Sequence, residues 1–219
     1  MTGWQHTKSK AYIESVEQRL LNVRLTWVEQ FLDIITNKSD VAPVSINDFG
    51  CQSFQFYKGL KSRSLNFDYH GYDIEEKYIE IGLRVFPCMA GKYSLMDISV
   101  TPPHRVSNIS VMSATLEHIL DYRSALRNIL THTSHLVILR TFFGDRTHCS
   151  VVRENGASHD YLIWEFSFSE IMGIFDELGF ATSIIRDQYT DSMPKYLSHE
   201  YVTKGIVRSQ YVLVGERAT

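Results

Sequence analysis

Two acidic residues stand at a spacing that suits recognition of a nucleotide-like ligand. Asp48 follows a short strand-like segment, residues 44–47, and Gly50 comes two residues later in a tight turn. Asp73 follows a second strand-like segment, residues 67–72, and lies 23 residues past Gly50. That is close to the spacing of a ribose-binding carboxylate after a nucleotide-binding glycine turn. An Asp-x-Gly turn with a purely structural role is the alternative.

The chain after Gly50 has the pattern of a helix start. Ser53 is placed to cap a helix that continues through residues 54–60. A strand, a tight turn and a helix in this order leave backbone N–H groups facing the crevice where open α/β sheets bind ligands. Asp97 is a third carboxylate of this kind, since it closes the strand-like segment 93–97. A cap of the strand end is the alternative role for Asp97.

The rest of the chain alternates between strand and helix patterns. Ser167 and Glu170 have the spacing of a capping box, and Gly179 follows the helix that they begin. Further strands are predicted at residues 108–113, 135–140, 180–185 and 210–214, with helices at 74–83, after Asp121 and at 168–178. The alternation predicts an α/β fold, a doubly wound, mostly parallel seven-stranded sheet with helices on both faces. The polar stretch 141–160 is predicted to be a long loop, either functional or disordered.

An N-terminal helical extension precedes this sheet. Residues 8–37 carry one apolar stripe at three- and four-residue steps, which predicts a single helix packed on the sheet. A mobile lid is the alternative, suggested by the polar and aromatic residues at 4–12. We therefore divide the chain into an extension or lid, residues 1–40, and a doubly wound domain, residues 41–219.

Composition limits the function classes. The chain has 219 residues and a net charge of -3, so no overall basic field favours nucleic acid as a partner. Its three widely spaced cysteines show neither a disulfide nor a metal-ligand pattern, which predicts reduced thiols in a cytoplasmic protein without a metal. The N-terminus lacks an apolar signal core, and no apolar run is long enough to cross a bilayer.

The order of these features resembles class I S-adenosylmethionine-dependent methyltransferases over roughly residues 44–214. Four segments carry the resemblance: Asp48-Phe49-Gly50-Cys51, Tyr72-Asp73, Val111-Met112-Ser113-Ala114-Thr115-Leu116-Glu117-His118-Ile119 with Asp121, and Phe175-Asp176-Glu177-Leu178-Gly179-Phe180. The resemblance implies that residues 41–219 form a Rossmann-like methyltransferase domain. It also implies S-adenosyl-L-methionine as the cofactor and methyl transfer by in-line displacement as the reaction.

The resemblance assigns the cofactor site residue by residue. Asp48, Gly50 and Cys51 are expected at the methionyl part, and Asp73 is expected to accept hydrogen bonds from both ribose hydroxyls. The adenine ring is expected to contact Ile74, Asp97 and Ile98, and Ser113 is expected beneath the sulfonium.

The glycine turn departs from the family pattern, which usually runs Gly-Cys-Gly-x-Gly. Gln52 and Phe54 stand at the second and third glycine positions. Glycine there permits positive φ, and a non-glycine residue in that conformation is strained by about 1 kcal/mol. We expect the Gln52 amide to donate to the methionyl carboxylate, and we expect Phe54 to turn into the sheet.

Candidate catalytic and acceptor-binding residues follow from the same resemblance. His118, Asp145 and His148 are candidate bases for an acceptor that loses a proton. Tyr12, Tyr161 and His118 are candidate contacts to the acceptor. For the loop residues Asp145, His148 and Tyr161, the alternative is a solvent-exposed position without a catalytic or binding role.

Three function classes stay open at this point. The acidic pI of about 6.3 favours a small-molecule acceptor, such as a sugar or a secondary metabolite, methylated on oxygen or nitrogen. An RNA or protein methyltransferase is the second class, and a non-catalytic binding subunit with this fold is the third. The sequence does not fix the oligomeric state, and a homodimer is one alternative.

Overall fold

The structure is a computed structural model of the chain. It describes residues 10–22, 25–38, 44–152, 161–192 and 210–217. The helices are α1 Lys10–Asn22, α2 Thr26–Lys38, α3 Gln55–Ser62, α4 Glu76–Val85, α5 Tyr122–Thr131, α6 Phe168–Glu177 and α7 Gln188–Ser192. The strands are β1 Ser45–Phe49, β2 Asp68–Asp73, β3 Tyr93–Leu95, β4 Ser107–Ser113, β5 Thr133–Gly144, β6 His148–Val152, β7 Tyr161–Ser167, β8 Phe180–Arg186 and β9 Gln210–Arg217.

The predicted doubly wound α/β fold is confirmed. Seven strands lie in the order β3-β2-β1-β4-β5-β9-β8. Within this set β9 is antiparallel to both of its neighbours, β5 and β8, and the other neighbouring pairs are parallel. The described sheet has nine strands rather than seven, because β6 and β7 form an antiparallel hairpin attached to the end of β5. β7 joins β5 in parallel through the pairs Phe143–Phe166 and Gly144–Ser167.

This hairpin corrects the predicted loop at residues 141–160. β5 continues to Gly144, and β6 pairs with β7 over five residues on each strand. The periodicity of a short strand with polar side chains is weak, so the pairing partner decides its conformation. Residues 153–160 lie outside the described ranges.

Helices cover both faces of the sheet. Consecutive residues of β5 point to opposite faces, with Val137 and Leu139 in one core and Leu136 and Ile138 in the other. Helices α5 and α6 contribute to the first core, and α2, α3 and α4 contribute to the second.

The predicted single helix over residues 8–37 is wrong, since two helices, α1 and α2, occupy this region. The two halves of the apolar stripe pack on different partners. Val16 and Leu20 of α1 pack on Tyr78 and Ile81 of α4. α2 instead buries its apolar residues in the core on that face of the sheet.

Of the two predicted helix caps, the one at Ser167 is confirmed, and Asp121 caps a further helix. The Asp121 side chain accepts a hydrogen bond from Ser124 N, and the Ser167 side chain accepts one from Glu170 N. The predicted cap at Ser53 is wrong. The Ser53 hydroxyl is buried without a hydrogen-bond partner, and α3 begins at Gln55 after Phe54 in a left-handed conformation. Among the described helices, none has the length and apolar character needed to span a bilayer.

Candidate functional site

Two adjoining clefts open at the carboxyl ends of the parallel strands. The first cleft has an empty volume of about 820 Å³ and lies over the ends of β1, β2 and β4. The second cleft, about 840 Å³, lies between the ends of β1, β4 and β5 and the helices α1, α2, α3 and α7. The two clefts share four lining residues, Gly50, Gln52, Ala114 and Thr115. The turn after β1 therefore lies at the boundary between them.

The turn after β1 is held against the end of β2. The N–H groups of Gly50 and Cys51 both donate to the Tyr72 carbonyl, at 2.8 and 3.1 Å. The next N–H, of Gln52, donates to Asp73 Oδ2 at 2.8 Å. These three backbone donors therefore bond within the protein, which corrects the expectation that the turn leaves its N–H groups to a ligand. These three N–H groups are therefore not available to an anionic ligand group.

Gly50 is required at its position for two reasons. Its φ of +74° lies in the left-handed region, and a Cβ atom there would stand 2.1 Å from Thr115 Oγ1. The Thr115 side chain, in the segment after β4, therefore packs directly on the Gly50 backbone. This close approach brings the two halves of the first cleft together.

Gln52 and Phe54 adopt the backbone conformation that the missing glycines would favour. Their φ angles are 50° and 64°. The turn thus keeps the family's geometry at the expense of local strain, about 1 kcal/mol for each residue. Phe54 is fully buried, and its ring lies against Gly82, Tyr69 and Tyr93, so it does point into the core.

The Gln52 side chain lies at the junction of the two clefts. Its Oε1 accepts a hydrogen bond from Gln55 Nε2 at 2.9 Å. Because this bond uses the oxygen, the Gln52 amide nitrogen, which can only donate, points away from Gln55. An amide donor at this junction is the type of group that a carboxylate ligand needs where the backbone donors are already used.

Asp73 lies at the end of β2 and lines the first cleft. Its Oδ2 accepts from Gln52 N, and its Oδ1 accepts from Glu75 N at 2.9 Å. Burial raises the pKa of this carboxyl, while the hydrogen bonds from the backbone N–H groups act in the opposite direction. A carboxylate accepts about four hydrogen bonds, so each oxygen retains capacity for a ligand hydroxyl.

The residues expected at an adenine ring also line the first cleft. Ile74 is 43% exposed there, while Ile98 is buried in the wall. Asp97 lies beyond the end of β3, which stops at Leu95, and its Oδ1 accepts from the Ser99 N–H and hydroxyl at 2.9 and 2.6 Å. Asp97 therefore acts as a local turn cap as well as a cleft residue.

An aromatic stack forms part of the first cleft and was not predicted from the sequence. Phe49 and Tyr72 both line the cleft, with ring centroids 4.9 Å apart and an interplanar angle of 15°. Each precedes a residue that the sequence did single out, Gly50 or Asp73. To predict the stack from the sequence one would need the register of β1 and β2, which places Phe49 opposite Tyr72.

The second cleft contains Asp48, Cys51 and Ser113. Asp48 is 4% exposed and its Oδ2 accepts from the Tyr69 hydroxyl at 2.7 Å. Burial raises the pKa of Asp48 to about 7; the Tyr69 hydrogen bond opposes this shift and the nearby Asp73 charge adds to it. Burial likewise raises the pKa of the Cys51 thiol.

A buried ion pair forms another wall of the second cleft, and sequence reasoning missed it. Arg140 Nε and Nη2 donate to Asp187 Oδ1 and Oδ2 at 2.8 and 3.0 Å, and Arg140 Nη1 donates to Ser113 Oγ at 3.3 Å. Hydrogen bonds from Arg140 and Thr190, together with the Arg140 charge, lower the pKa of Asp187 against the opposing effect of burial. The available signal was one charged residue at the end of the apolar segment 135–140.

The candidate bases separate into one residue at the cleft and two away from it. His118 lines the first cleft, with its Nδ1 3.4 Å from the Leu162 carbonyl oxygen. Asp145 is exposed in the turn between β5 and β6, and His148 lies on β6 with its Nδ1 3.9 Å from Glu165 Oε1. Neither Asp145 nor His148 lines either cleft.

The two tyrosines expected at the acceptor fall where side chains are not described. Tyr12 lies in α1 and Tyr161 is the first residue of β7, but their side chains lie outside the described set. Within the described ranges, no group of three or more His, Cys, Asp or Glu side chains could hold a metal ion.

The residues of the first cleft fit the adenosine part of S-adenosylmethionine. The Asp73 carboxylate suits a pair of ribose hydroxyls, and the apolar side chains of Ile74, Ile98 and Met112 suit the faces of a purine ring. Gly50 lines the same cleft, and its missing side chain lets the Thr115 side chain pack against the turn.

Sequence comparisons and structural comparisons gave different results. No protein-family model matches the chain, and a search of curated protein sequences found no match. Solved structures do match. A S-adenosylmethionine-dependent methyltransferase from Clostridium acetobutylicum ATCC 824 is 10% identical with a TM-score of 0.66, and the match covers 95% of this chain and 99% of that one.

Two further matches have S-adenosylmethionine bound. Magnesium protoporphyrin IX methyltransferase from Synechocystis PCC 6803 is 11% identical with a TM-score of 0.64, covering 97% of this chain and 94% of that one. CalS10, an amino pentose methyltransferase from Micromonospora echinaspora, is 12% identical with a TM-score of 0.61, covering 96% and 98%. This chain therefore has the fold of the class I S-adenosylmethionine-dependent methyltransferases.

Proposed function

We propose that this protein is a cytoplasmic enzyme that transfers a methyl group from S-adenosyl-L-methionine to an oxygen or nitrogen atom of a small molecule. The observation that carries the proposal is the position of Asp73. Its carboxylate lies at the end of β2, in an apolar-walled cleft of about 820 Å³, beside the close approach of Gly50 and Thr115. Open α/β sheets bind their ligands at this edge.

The first cleft would hold the adenosine part of the cofactor. Asp73 would accept the ribose hydroxyls, and Ile74 with Ile98 would pack on the adenine ring. The methionyl part would then extend past Gly50 toward the second cleft, with its carboxylate bonded to the Gln52 amide. Backbone N–H groups of the turn are already bonded to Tyr72 and Asp73, which favours this side-chain role for Gln52.

The second cleft would hold the acceptor. When bound, the cofactor would supply a methyl group on its sulfonium: the lone pair of the acceptor would bond to the methyl carbon, in line with the carbon–sulfur bond that breaks. The chain's part is mainly to hold the acceptor in position and to exclude water. Arg140, fixed by Asp187, and the ring of Tyr189 line this cleft and would orient the acceptor. Of the three candidate bases, His118 lines the first cleft and the other two line neither cleft, so none of them lies against an acceptor in the second cleft, and we propose that positioning carries the transfer.

Three considerations support a small-molecule acceptor. The match covers 94% or more of each of the three solved structures, so the comparison extends over nearly their whole length. Two of those proteins act, by their descriptions, on a porphyrin and an amino pentose. The net charge of -3 also disfavours RNA as an acceptor.

A non-catalytic role in binding is the second candidate, and the turn favours it. Gln52 and Phe54 hold strained positive φ angles where the resembled family has glycine, and the first backbone donors of the turn are bonded internally. Both features would lower the affinity for a cofactor. They would leave the fold, and any protein-binding surface, intact.

Calorimetric titration with S-adenosylmethionine and with S-adenosylhomocysteine tests the proposal. We expect saturable binding of both by the wild-type protein and weaker binding by the Asp73→Ala variant. Methyl release from S-adenosylmethionine should then be measured on a panel of sugars, amines, phenols and porphyrins. A folded protein that binds neither compound at millimolar concentration would support the non-catalytic candidate instead.

A further inference from the structure

Arg140 is a buried cation with N–H groups that the protein does not use. It is 4% exposed, yet it lines the second cleft. Its Nε and Nη2 donate to the two carboxylate oxygens of Asp187, and its Nη1 donates to Ser113 Oγ. A guanidinium carries five N–H groups, so two are left without an acceptor among the described residues, one on Nη1 and one on Nη2. Buried donors are normally bonded, so these two point to a ligand in the cleft.

The guanidinium is held in place by a rigid support around Asp187. Oδ2 of Asp187 also accepts from the N–H and the hydroxyl of Thr190, at 2.8 and 2.7 Å. Gln30 of α2 fixes the backbone on both sides of Asp187: its Nε2 donates to the Arg186 carbonyl at 2.8 Å, and its Oε1 accepts from Gln188 N at 3.0 Å. Gln30 and Thr190 are therefore positioning residues. A guanidinium that is fixed in advance loses little side-chain entropy when a ligand binds.

Aromatic side chains form another part of the wall of the second cleft. Trp27, Phe56 and Tyr189 all line it. The rings of Trp27 and Phe56 are stacked, with centroids 6.4 Å apart and an interplanar angle of 17°. The ring centroid of Tyr189 lies 5.7 Å from Arg140 Cζ. Aromatic walls with one fixed polar group suit a small molecule that has an apolar body and one group complementary to that polar group.

The charges at the second cleft favour an anion. Its lining contains two arginines, Arg19 and Arg140, and one carboxyl group, Asp48. Asp187 supplies one negative charge next to Arg140. Burial raises the pKa of Asp48 to about 7, so near neutral pH this group carries only part of a negative charge. Two positive charges, one full negative charge and one partial negative charge leave a positive excess of less than one unit. This excess suits a ligand with a single negative charge.

We propose that the methyl acceptor is a small carboxylic acid with an apolar body, and that Arg140 binds its carboxylate through the N–H groups left on Nη1 and Nη2. This inference rests on the proposed function, because it names the class of acceptor for that reaction. Two N–H groups of one planar guanidinium can bind both oxygens of a carboxylate, which fixes the orientation of the acid as well as its position. A phosphate monoester has similar oxygens but carries more charge than the excess in the cleft.

The test is calorimetric titration of the full chain with acids and their uncharged amides, with and without saturating S-adenosylhomocysteine. The pairs are 4-hydroxybenzoate with 4-hydroxybenzamide and hexanoate with hexanamide, and phenyl phosphate is the phosphate probe. We expect at least one acid to bind about tenfold or more tightly than its amide, as a hydrogen-bonded charge requires. Equal affinities within both pairs, or no binding of either acid at millimolar concentration, would overturn the inference. Phenyl phosphate binding more tightly than both acids would also overturn it.

Arg140→Lys tests whether the guanidinium is the binding group. Lysine keeps the positive charge beside Asp187 but replaces the planar pair of donors with a single ammonium. Affinity for the acid should fall about tenfold or more, while affinity for the amide should stay the same. Arg186→Lys is the matched control: the Arg186 side chain is 79% exposed and lines neither cleft. This control should bind the acid like the wild-type protein.

Arg19→Gln tests the other arginine of the cleft. The preference for acid over amide should persist in this variant. A preference lost in Arg19→Gln and kept in Arg140→Lys would assign the carboxylate to Arg19 and overturn the inference. If Arg140→Lys does not fold, a preference that persists in Arg19→Gln leaves Arg140 as the arginine among the described lining residues of the cleft.

The inference and the proposed function fail in different ways. Absence of S-adenosylmethionine binding, with the preference for acids retained, would overturn the proposed function and leave Arg140 as a carboxylate site. Saturable S-adenosylmethionine binding with equal affinities for acids and amides would overturn the inference alone.

Discussion

The carboxylate of Asp73 accepts a hydrogen bond from the backbone N–H of Gln52, with 2.8 Å between Oδ2 and N. One bond thus joins the acidic residue at the end of β2 to the turn after β1, 21 residues earlier. Gln52 occupies this turn with a φ of 50°, in the region that favours glycine. The bond offsets part of the strain of that conformation, since a hydrogen bond to a charged group contributes about 1.5–3 kcal/mol.

Replacing Asp73 with alanine should weaken cofactor binding and also loosen the turn. We expect the affinity for S-adenosylmethionine to fall by about 1.5–3 kcal/mol, the scale of hydrogen bonds to a carboxylate. The melting temperature should also fall, because Gln52 N and Glu75 N lose their acceptor. Calorimetric titration and thermal unfolding without ligand measure the two effects.

Asp121→Ala is the matched control for Asp73→Ala. It removes a carboxylate that accepts from Ser124 N at the start of α5 and does not line either cleft. Loss of this cap should lower the free energy of unfolding by about 1 kcal/mol and leave affinity unchanged. Asp73→Ala with a lower melting temperature and wild-type affinity would exclude Asp73 from the cofactor site.

Replacing Gln52 with glycine restores the family residue, and we expect it to weaken binding of S-adenosylmethionine by about 0.5–1.5 kcal/mol, because the side-chain hydrogen bond is lost. Stability should change little, because relief of strain is offset by the greater entropy of the unfolded chain. Calorimetric titration and urea unfolding measure the two quantities.

Ser64→Gly is the control for backbone strain alone. Ser64 is exposed, has a φ of 54° and follows the end of α3, where glycine is favoured. This change brings the same relief of strain and the same gain in unfolded-chain entropy as Gln52→Gly, so stability should change little and affinity should be unaltered. Tighter cofactor binding by Gln52→Gly would show that the Gln52 side chain obstructs the site.

Replacing Phe54 with glycine also restores a family residue, but we expect it to destabilise the protein. The ring is fully buried against Gly82 and the rings of Tyr69 and Tyr93. Truncating a buried phenylalanine costs about 3–5 kcal/mol, and relief of the positive φ returns only about 1 kcal/mol. Urea unfolding should show a clear decrease in the free energy of unfolding. A stability equal to that of Gln52→Gly would mean that the Phe54 ring is not part of the core.

The Asp48→Asn variant should gain stability relative to the wild-type protein as the pH rises. Burial raises the pKa of Asp48 from 3.8 to about 7, so the folded protein keeps a proton that the unfolded chain has lost. The stabilisation from that proton is fully present below pH 3.8 and is lost as the pH rises through 7. Asparagine stays neutral throughout. The difference in the free energy of unfolding between variant and wild type should therefore grow by roughly 2–3 kcal/mol between pH 5 and pH 8.

Urea unfolding at pH 5, 6, 7 and 8 measures this difference, and other titrating groups cancel in the comparison. Parallel stability curves for the two proteins would show that Asp48 is already ionised at pH 5 in the folded state.

The sequence alone determined most of the order of strands and helices, the positions of Asp73 and Gly50 at strand ends, and the cap at Ser167. These features are local. Each of these signals acts within a few residues of chain: apolar periodicity, a glycine after a strand, and a capping side chain three residues before a helical N–H. The β-α alternation then leaves few topologies, and the observed fold class is the expected one, although the described sheet has nine strands rather than seven.

Tertiary contacts decided the rest. The stripe over residues 8–37 gives two helices because its halves pack on different partners. The segment 148–152 becomes a strand because β7 pairs with it, which also carries His148 away from the clefts. The internal bonds of the turn join it to Tyr72 and Asp73, and Arg140 pairs with Asp187 across 47 residues of chain. Such pairings depend on which strands become neighbours, and no local pattern of residues encodes that.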